Sequence, residues 1–296
     1  MGERDMKKFL GTLGTAGLVL ALAACGTSGD EDSNNGDTGS TTGGDTPAEE
    51  ETTTLKISAS NTPHAEILEE AASALEEEGI ELDIVVAQDY VIPNIALDGE
   101  EVDANFFQHQ PYLDQQTEEF GYDFAVAGAI HIEPYALYSS QYDSVDEIPD
   151  GGTIIFSNNV AEEGRALHLL AQENLITLAD GVGYEATLDD IEENPKNLEF
   201  VNNVDPALLP QAYENNEGDA IIINANYALE IDLNPTDDGL ITESGDSDNP
   251  FANLIVVRAG EEDREDIQKL VEVLHSEEIT NFINENYEGA VVPVTE

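Results

Sequence analysis

An α/β fold with mainly parallel sheets flanked by helices, divided into two lobes, is what this sequence predicts. Three observations lead there. From Leu55 to the C-terminus, short runs rich in β-branched residues alternate with segments whose apolar residues recur at helical spacing. Strand and helix in turn mark an α/β architecture, in which crossover helices join parallel strands. The rhythm pauses between Ser139 and Gly152, in a chain of 296 residues that is long enough for two lobes.

The stretch "LKISAS" at Leu55 reads as the first strand. Asn61 and Pro63 then offer a cap and a first-turn proline for a helix that places Ile67, Leu68, Ala71, Ala72 and Leu75 on one face and stops at Gly79. "LDIVVA" is the next strand, followed by a short helix near Pro93 to Leu97, the strand "VDANFF", a helix from Pro111 to Phe120 and a long extended run, "FAVAGAIHIEPYALYS". After the pause come "TIIFS", a helix from Ala161 to Glu173, "LEFVNN", a helix after Pro206, "AIIINA" and "ANLIVVR". One long helix from Glu262 to Asn286 closes the chain. No segment repeats at a fixed period.

Charge narrows the function. Nine Lys and Arg stand against 64 Asp and Glu, a formal net charge of -55. Such a surface repels nucleic acid and anionic lipid, so nucleic-acid binding is excluded. Its self-repulsion is tolerable where salt screens it, which points to an acidic, halophilic protein.

The N-terminus predicts an address. From Met6, which could itself be the start, two lysines precede an apolar run and a series of small residues ending at Cys25, the layout of a secretory signal over residues 1–24. Phe9 to Ala24 is short for a membrane span and carries three glycines. Leu22-Ala23-Ala24-Cys25 resembles the lipobox of bacterial lipoproteins, which implies a diacylglyceryl group on Cys25, the chain's single cysteine. Two acyl chains suffice for stable anchoring at the membrane. Residues 25–54, almost free of aliphatic side chains, form an expected disordered acidic tether.

No G-x-S-x-G elbow, P-loop or H-E-x-x-H appears, so no enzyme is predicted. "GVGYEA" at Gly181 to Ala186 formally fits a dinucleotide fingerprint but lacks the strand before it and the helix within it, and reads as a turn. His109, His131 and Glu133 are candidate metal ligands, although His64, His168 and His275 sit in unrelated helical contexts and no zinc spacing emerges. Only six basic residues follow Cys25. A carboxylate ligand would need one of them, and Arg165, in the first turns of a helix, is the candidate for its bidentate fork. A surface pairing of Arg165 with Glu162 or Glu163 is the equal alternative.

The passages "QDYVIPNIAL", "VDANFFQHQPYLD", "IHIEPYALYS", "EEGRALHLL", "ENPKNLEFV", "IINANYALEIDL" and "NPFANLIVVR" together resemble the MetQ/NlpA family of methionine-binding lipoproteins, from about Leu55 to Pro293 and in the family's order. The resemblance implies a two-lobed, type II-like periplasmic-binding-protein fold with its ligand in the interlobe cleft. Residues 55–138 plus 251–296 would form the first lobe and 139–250 the second. It implies that Tyr90, Phe107, His109 and Tyr112 wrap a thioether side chain, that Arg165 clamps the ligand carboxylate, and that Asn224 and Asn253 bond the head group with His131 close by. Phe106, by strand alternation, belongs to the core. The implied partners are L-methionine, with D-methionine and Gly-Met as further candidates, and an ABC permease with its ATPase at the extracytoplasmic membrane face. No cofactor and no metal is expected, a metal-binding lipoprotein being the remaining alternative. Val160-Ala161-Glu162-Glu163 stands where the family carries "DPTN", and Leu208-Leu209-Pro210-Gln211 where it carries "QLPR", which places fine specificity in question.

Overall fold

Strand β1 (Thr53–Ser60) opens the computed structural model, which describes residues 52–245 and 249–294. The expected signal segment, Cys25 and nearly all of the tether lie outside the described residues. The strand begins two residues before Leu55, so Thr53 and Thr54, read as tether, pair with Ile80 and Glu81. Then follow α1 (Glu66–Glu77), β2 (Ile80–Ala87), α2 (Ile92–Asp98), β3 (Ala104–His109), α3 (Gln110–Phe120) and β4 (Phe124–Ile132). The chain continues through β5 (Ala136–Tyr138), β6 (Thr153–Ser157), α4 (Val160–Gln172), the short pair β7 (Thr177–Leu178) and β8 (Ile191–Glu193), and β9 (Glu199–Val204). It ends with α5 (Leu209–Glu214), β10 (Ala220–Ile223), α6 (Ala225–Leu229), α7 (Pro235–Asp238), β11 (Ile241–Thr242), β12 (Ala252–Arg258), α8 (Glu265–Leu274), α9 (Glu277–Tyr287) and β13 (Val292–Pro293).

A six-stranded sheet runs β13-β4-β12-β3-β1-β2 and a five-stranded sheet β11-β5-β10-β6-β9. Both are mixed, where mainly parallel sheets are expected. Parallel ladders join β1 to β2 and β3, and β6 to β9 and β10. The antiparallel ones arise where the chain changes sheets: β5 leaves the first sheet to pair with β10 and β11, and β12 returns to insert between β3 and β4. The first crossing falls between Ile132 and Ala136, ahead of the boundary expected after residue 138. The extended run read there is therefore two strands in different sheets.

Each sheet is buried on both faces. In β12, Ile255 and Val257 enter a core with Ile57, Phe106 and Leu270, whereas Leu254 and Val256 pack with Leu97 and Leu113. That explains why the strand reads as a continuous apolar run, not an alternation. In β6, Ile154 and Phe156 face α4 and Ile155 faces α5. The single C-terminal helix of the sequence reading is two. Ser276 breaks it, its hydroxyl accepting the Ile279 N–H at 3.3 Å as a new N-cap. Asn61 makes no cap for the first helix, and Thr62 Oγ1 donates to Glu66 instead.

Helix α4 approaches the segment after β7 so closely that a Cβ on Gly164 would fall inside van der Waals contact with the Tyr184 carbonyl. An alanine in an open helix position gains about 1 kcal/mol over glycine. Here Gly164→Ala is expected to lose about 1–3 kcal/mol, the typical cost of overpacking, as measured by urea unfolding.

Candidate functional site

Residues from both sheets converge where β3 and β12 of the first meet the loops after β6 and β10 of the second. Ligands of open α/β sheets bind outside the carboxyl ends of strands in this way. Tyr90, Phe107, His109, Tyr112, Arg165, Asn224 and Asn253 all line one cavity. His131 does not line it. Its remaining lining includes Glu133, Glu162 and Asn226, and the side chains leave a void of about 30 Å³.

The apolar wall is a triangle of rings. Tyr90, Phe107 and Tyr112 stand with centroids 5.9 to 6.1 Å apart, and Tyr227 lies 5.2 Å behind Tyr90. The hydroxyls are tied back: Tyr90 donates to Asn226 Oδ1 at 2.7 Å and Tyr112 to the Tyr90 carbonyl at 2.8 Å. Burial raises both phenol pKa values, so both remain neutral donors. Phe106 turns the other way into the core, as alternation requires. Beneath the wall, Asn94, Asn105 and Gln108 exchange amide hydrogen bonds of 2.8 to 3.0 Å that fix α2 against β3.

His109 caps α3. Its Nδ1 accepts the Tyr112 N–H at 3.2 Å, so the proton sits on Nε2, which donates to Glu162 Oε1 at 3.1 Å. Glu162 also accepts from Asn224 Nδ2 through both oxygens, at 2.8 and 2.7 Å, and lies 3.6 Å from Arg165 Nη1. Burial alone would push this carboxyl up. The His109 hydrogen bond, with the Arg165 charge and the Asn224 hydrogen bonds, outweighs it and holds Glu162 below the usual carboxylate range.

Arg165 is buried, and its fork is engaged. Nε and Nη2 donate to Glu243 at 3.2 and 2.5 Å, and Nη2 also donates to the Glu133 carbonyl at 2.9 Å. The guanidinium lies over the Tyr135 and Phe251 rings at 4.8 and 4.1 Å. The bidentate clamp expected for a ligand is thus occupied by Glu243, and Nη1 is the arm turned toward Glu162. The expected surface pairing with Glu162 exists, but inside the cavity.

His131 sits one layer behind. Its Nε2 donates to Glu133 Oε1 at 2.9 Å. The same oxygen lies 3.3 Å from His64 Nε2, which is itself 3.0 Å from Asn253 Oδ1. Glu133 Oε2 accepts the Asn226 N–H at 3.1 Å. His131 therefore bears on the cavity through Glu133. Burial lowers the His64 pKa to about 4, against the charge of Glu133, and that of His131 to about 3.

The metal alternative paired His109 and His131 with one carboxylate, but the structure separates them onto Glu162 and Glu133. His64, read as unrelated, completes the second group, whose three donor atoms lie within 4.8 Å of one another. Its fit to a metal is poor. The donors already hydrogen-bond one another, and Nδ1 of both histidines is buried without a partner, whereas metal-bound histidines anchor that second nitrogen.

Of the other lining residues, the sequence reading named Glu133 only as a metal candidate and Glu162 only as a surface partner of Arg165, and it missed Gln108, Tyr135, Asn159, Ala225 and Asn226. A carboxylate three positions before the candidate arginine was the available signal for Glu162, since i and i+3 share a helix face.

Residues 55–295 match the family described as NlpA lipoprotein. A curated relative, the methionine-binding lipoprotein MetQ of Bacillus subtilis, is 49% identical over 98% of this chain and 100% of its own. Among solved structures, a pheromone cOB1 precursor/lipoprotein of the YaeC family from Enterococcus faecalis matches with TM-score 0.79 and 46% identity, covering 82% of this chain and all of that one. A nutrient binding protein from Burkholderia cenocepacia bound to methionine matches with TM-score 0.76 and 38% identity, over 81% of this chain and 99% of its own.

Proposed function

The chain belongs to the NlpA lipoprotein family, and from that premise we propose that it is the substrate-binding component of a methionine ABC importer. One observation carries the reading. A single cavity sets a triangle of aromatic rings beside a cluster of charged and amide groups, which suits a thioether side chain ending in an amino-acid head group. Sulfur against an aromatic ring is attractive by about 0.3–1.5 kcal/mol per contact. Tyr90, Phe107 and Tyr112 take the side chain, with His109 at their edge. Arg165, through Nη1, Asn224 and Asn253 take the head group, and His131 steadies Glu133 behind them.

The two sheets with their helices are the two lobes, and the cleft opens to admit a ligand larger than the void its own side chains leave. Methionine bridges the lobes and favours the closed form by its greater affinity for it. The closed form then docks on a permease driven by its ATPase. Cys25 carries the lipid that holds the protein at the extracytoplasmic face of the membrane. The activity is binding, with no chemical step. Among the described residues, no helix is long and apolar enough to cross a membrane.

Isothermal calorimetry of the full chain tests this against L-methionine, D-methionine and Gly-Met. Saturable one-to-one binding of methionine is expected. Absence of binding to all three, with a thermal shift on adding zinc, would replace this reading by the metal-binding one.

A further inference from the structure

Every neighbour of Glu162 in the cavity leaves it with negative charge to spare. Among the lining residues Arg165 is the one Lys or Arg, and its Nε and Nη2 already face Glu243. His109 answers Glu162 with a single hydrogen bond from a ring whose other nitrogen is used as an acceptor. Glu133 adds a second carboxyl to the same lining. A site built to hold an anion alone would not place a buried carboxylate 3.6 Å from its arginine.

Asn224 supplies an independent observation. It is 8% exposed, and its Nδ2 donates to both oxygens of Glu162. Turning the amide over would set oxygen against carboxylate, so its orientation is fixed with Oδ1 facing away from Glu162. That Oδ1 is buried and has no partner among the described residues. An orphaned buried acceptor beside a carboxylate is a receptor for a cationic N–H donor.

We propose that Glu162 and Asn224 Oδ1 form the receptor for the ligand's α-ammonium group, and that this carboxylate makes a free amino group the condition for binding. The proposal rests on the methionine-binding reading above and assigns its specificity. Glu162 Oε1 and Arg165 Nη1 lie 3.6 Å apart, as receptors for the ammonium and carboxylate carried by one carbon atom would.

The test is calorimetry of the full chain with L-methionine and with 4-(methylthio)butanoate, which keeps the thioether and the carboxylate but lacks the amino group. The natural protein is expected to prefer methionine by about 100-fold or more. In Glu162→Gln, methionine is expected to weaken by about 30-fold or more while the desamino acid holds its affinity or gains, so that the preference collapses. The comparison on the natural protein needs no variant and stands even if Glu162→Gln folds poorly. If the natural protein binds both compounds alike, or if Glu162→Gln binds methionine as tightly as before, the proposal is overturned while the methionine reading survives. If the natural protein binds no methionine, that reading falls, and the proposal with it.

Discussion

Arg165→Ala is expected to weaken methionine binding by about 2–5 kcal/mol, the usual cost of truncating one partner of a buried charge pair. The same substitution should also lower the stability of the ligand-free protein by about 3–5 kcal/mol. The second effect follows from the fork. Nε and Nη2 hold Glu243, Nη2 holds the Glu133 carbonyl, and the guanidinium fills the gap between Tyr135 and Phe251. Removing it leaves the buried Glu162 and the half-buried Glu243 carboxylates without their cation, and leaves two rings facing a void. Arg165→Lys separates the roles. It keeps a charge for Glu243 but cannot reproduce a planar fork stacked on two rings, so it should recover part of the stability and little of the binding. Urea unfolding and calorimetry on the three proteins are the measurements. An Arg165→Ala protein with unchanged methionine affinity would remove the arginine from the site.

Much of this was legible in the residues. Strand and helix positions follow from periodicity, because apolar spacing is dictated by the faces that must be buried. The mixed pairing of the sheets was not legible, since the same apolar run "ANLIVVR" serves a parallel or an antiparallel ladder, and only the return of β12 between β3 and β4 decides it. The break at Ser276 could have been read from its cap chemistry and from the apolar positions, because Ile267, Leu270 and Leu274 before it and Ile279, Ile283 and Tyr287 after it do not share one face of a continuous helix. At the site, the motif residues reached the cavity as expected except His131. The acidic members did not announce themselves. With 64 Asp and Glu in the chain, nothing local marks Glu133 as one taken inside, and Glu162 is marked only by its i, i+3 spacing from Arg165. Burial is a property of the assembled layers, so which carboxylates they enclose is decided by contacts distant in sequence: His109 lies 53 residues and Asn224 62 residues from Glu162.

Acidification below pH 6.5 is expected to destabilise the fold steeply, and His64 and His131 are the reason. Both are buried, with burial lowering one to about pH 4 and the other to about pH 3. Between pH 6.5 and pH 4 the unfolded chain therefore binds protons on both rings that the folded chain refuses. Stability rises with pH wherever the unfolded state binds more protons, so it is lost as pH falls through this window. Each such group contributes about 1.4 kcal/mol per pH unit, and the two together about 2.7. Glu133 acts with the opposite sign. Its folded pKa is raised by burial, against the pull of His64 and the Asn226 N–H, so it takes up a proton earlier in the fold than in the unfolded chain and offsets part of the loss. One carboxyl cannot cancel two imidazoles. Besides Glu133, the pair is faced by Asn253 and Phe106, neither of which titrates. Unfolding free energies measured between pH 6.5 and pH 5 at constant salt should slope accordingly, and His131→Asn should remove about 1.4 kcal/mol per pH unit from that slope. An identical slope in the variant would mean that His131 is protonated within the fold, and Glu133 would then be holding an imidazolium behind the cavity.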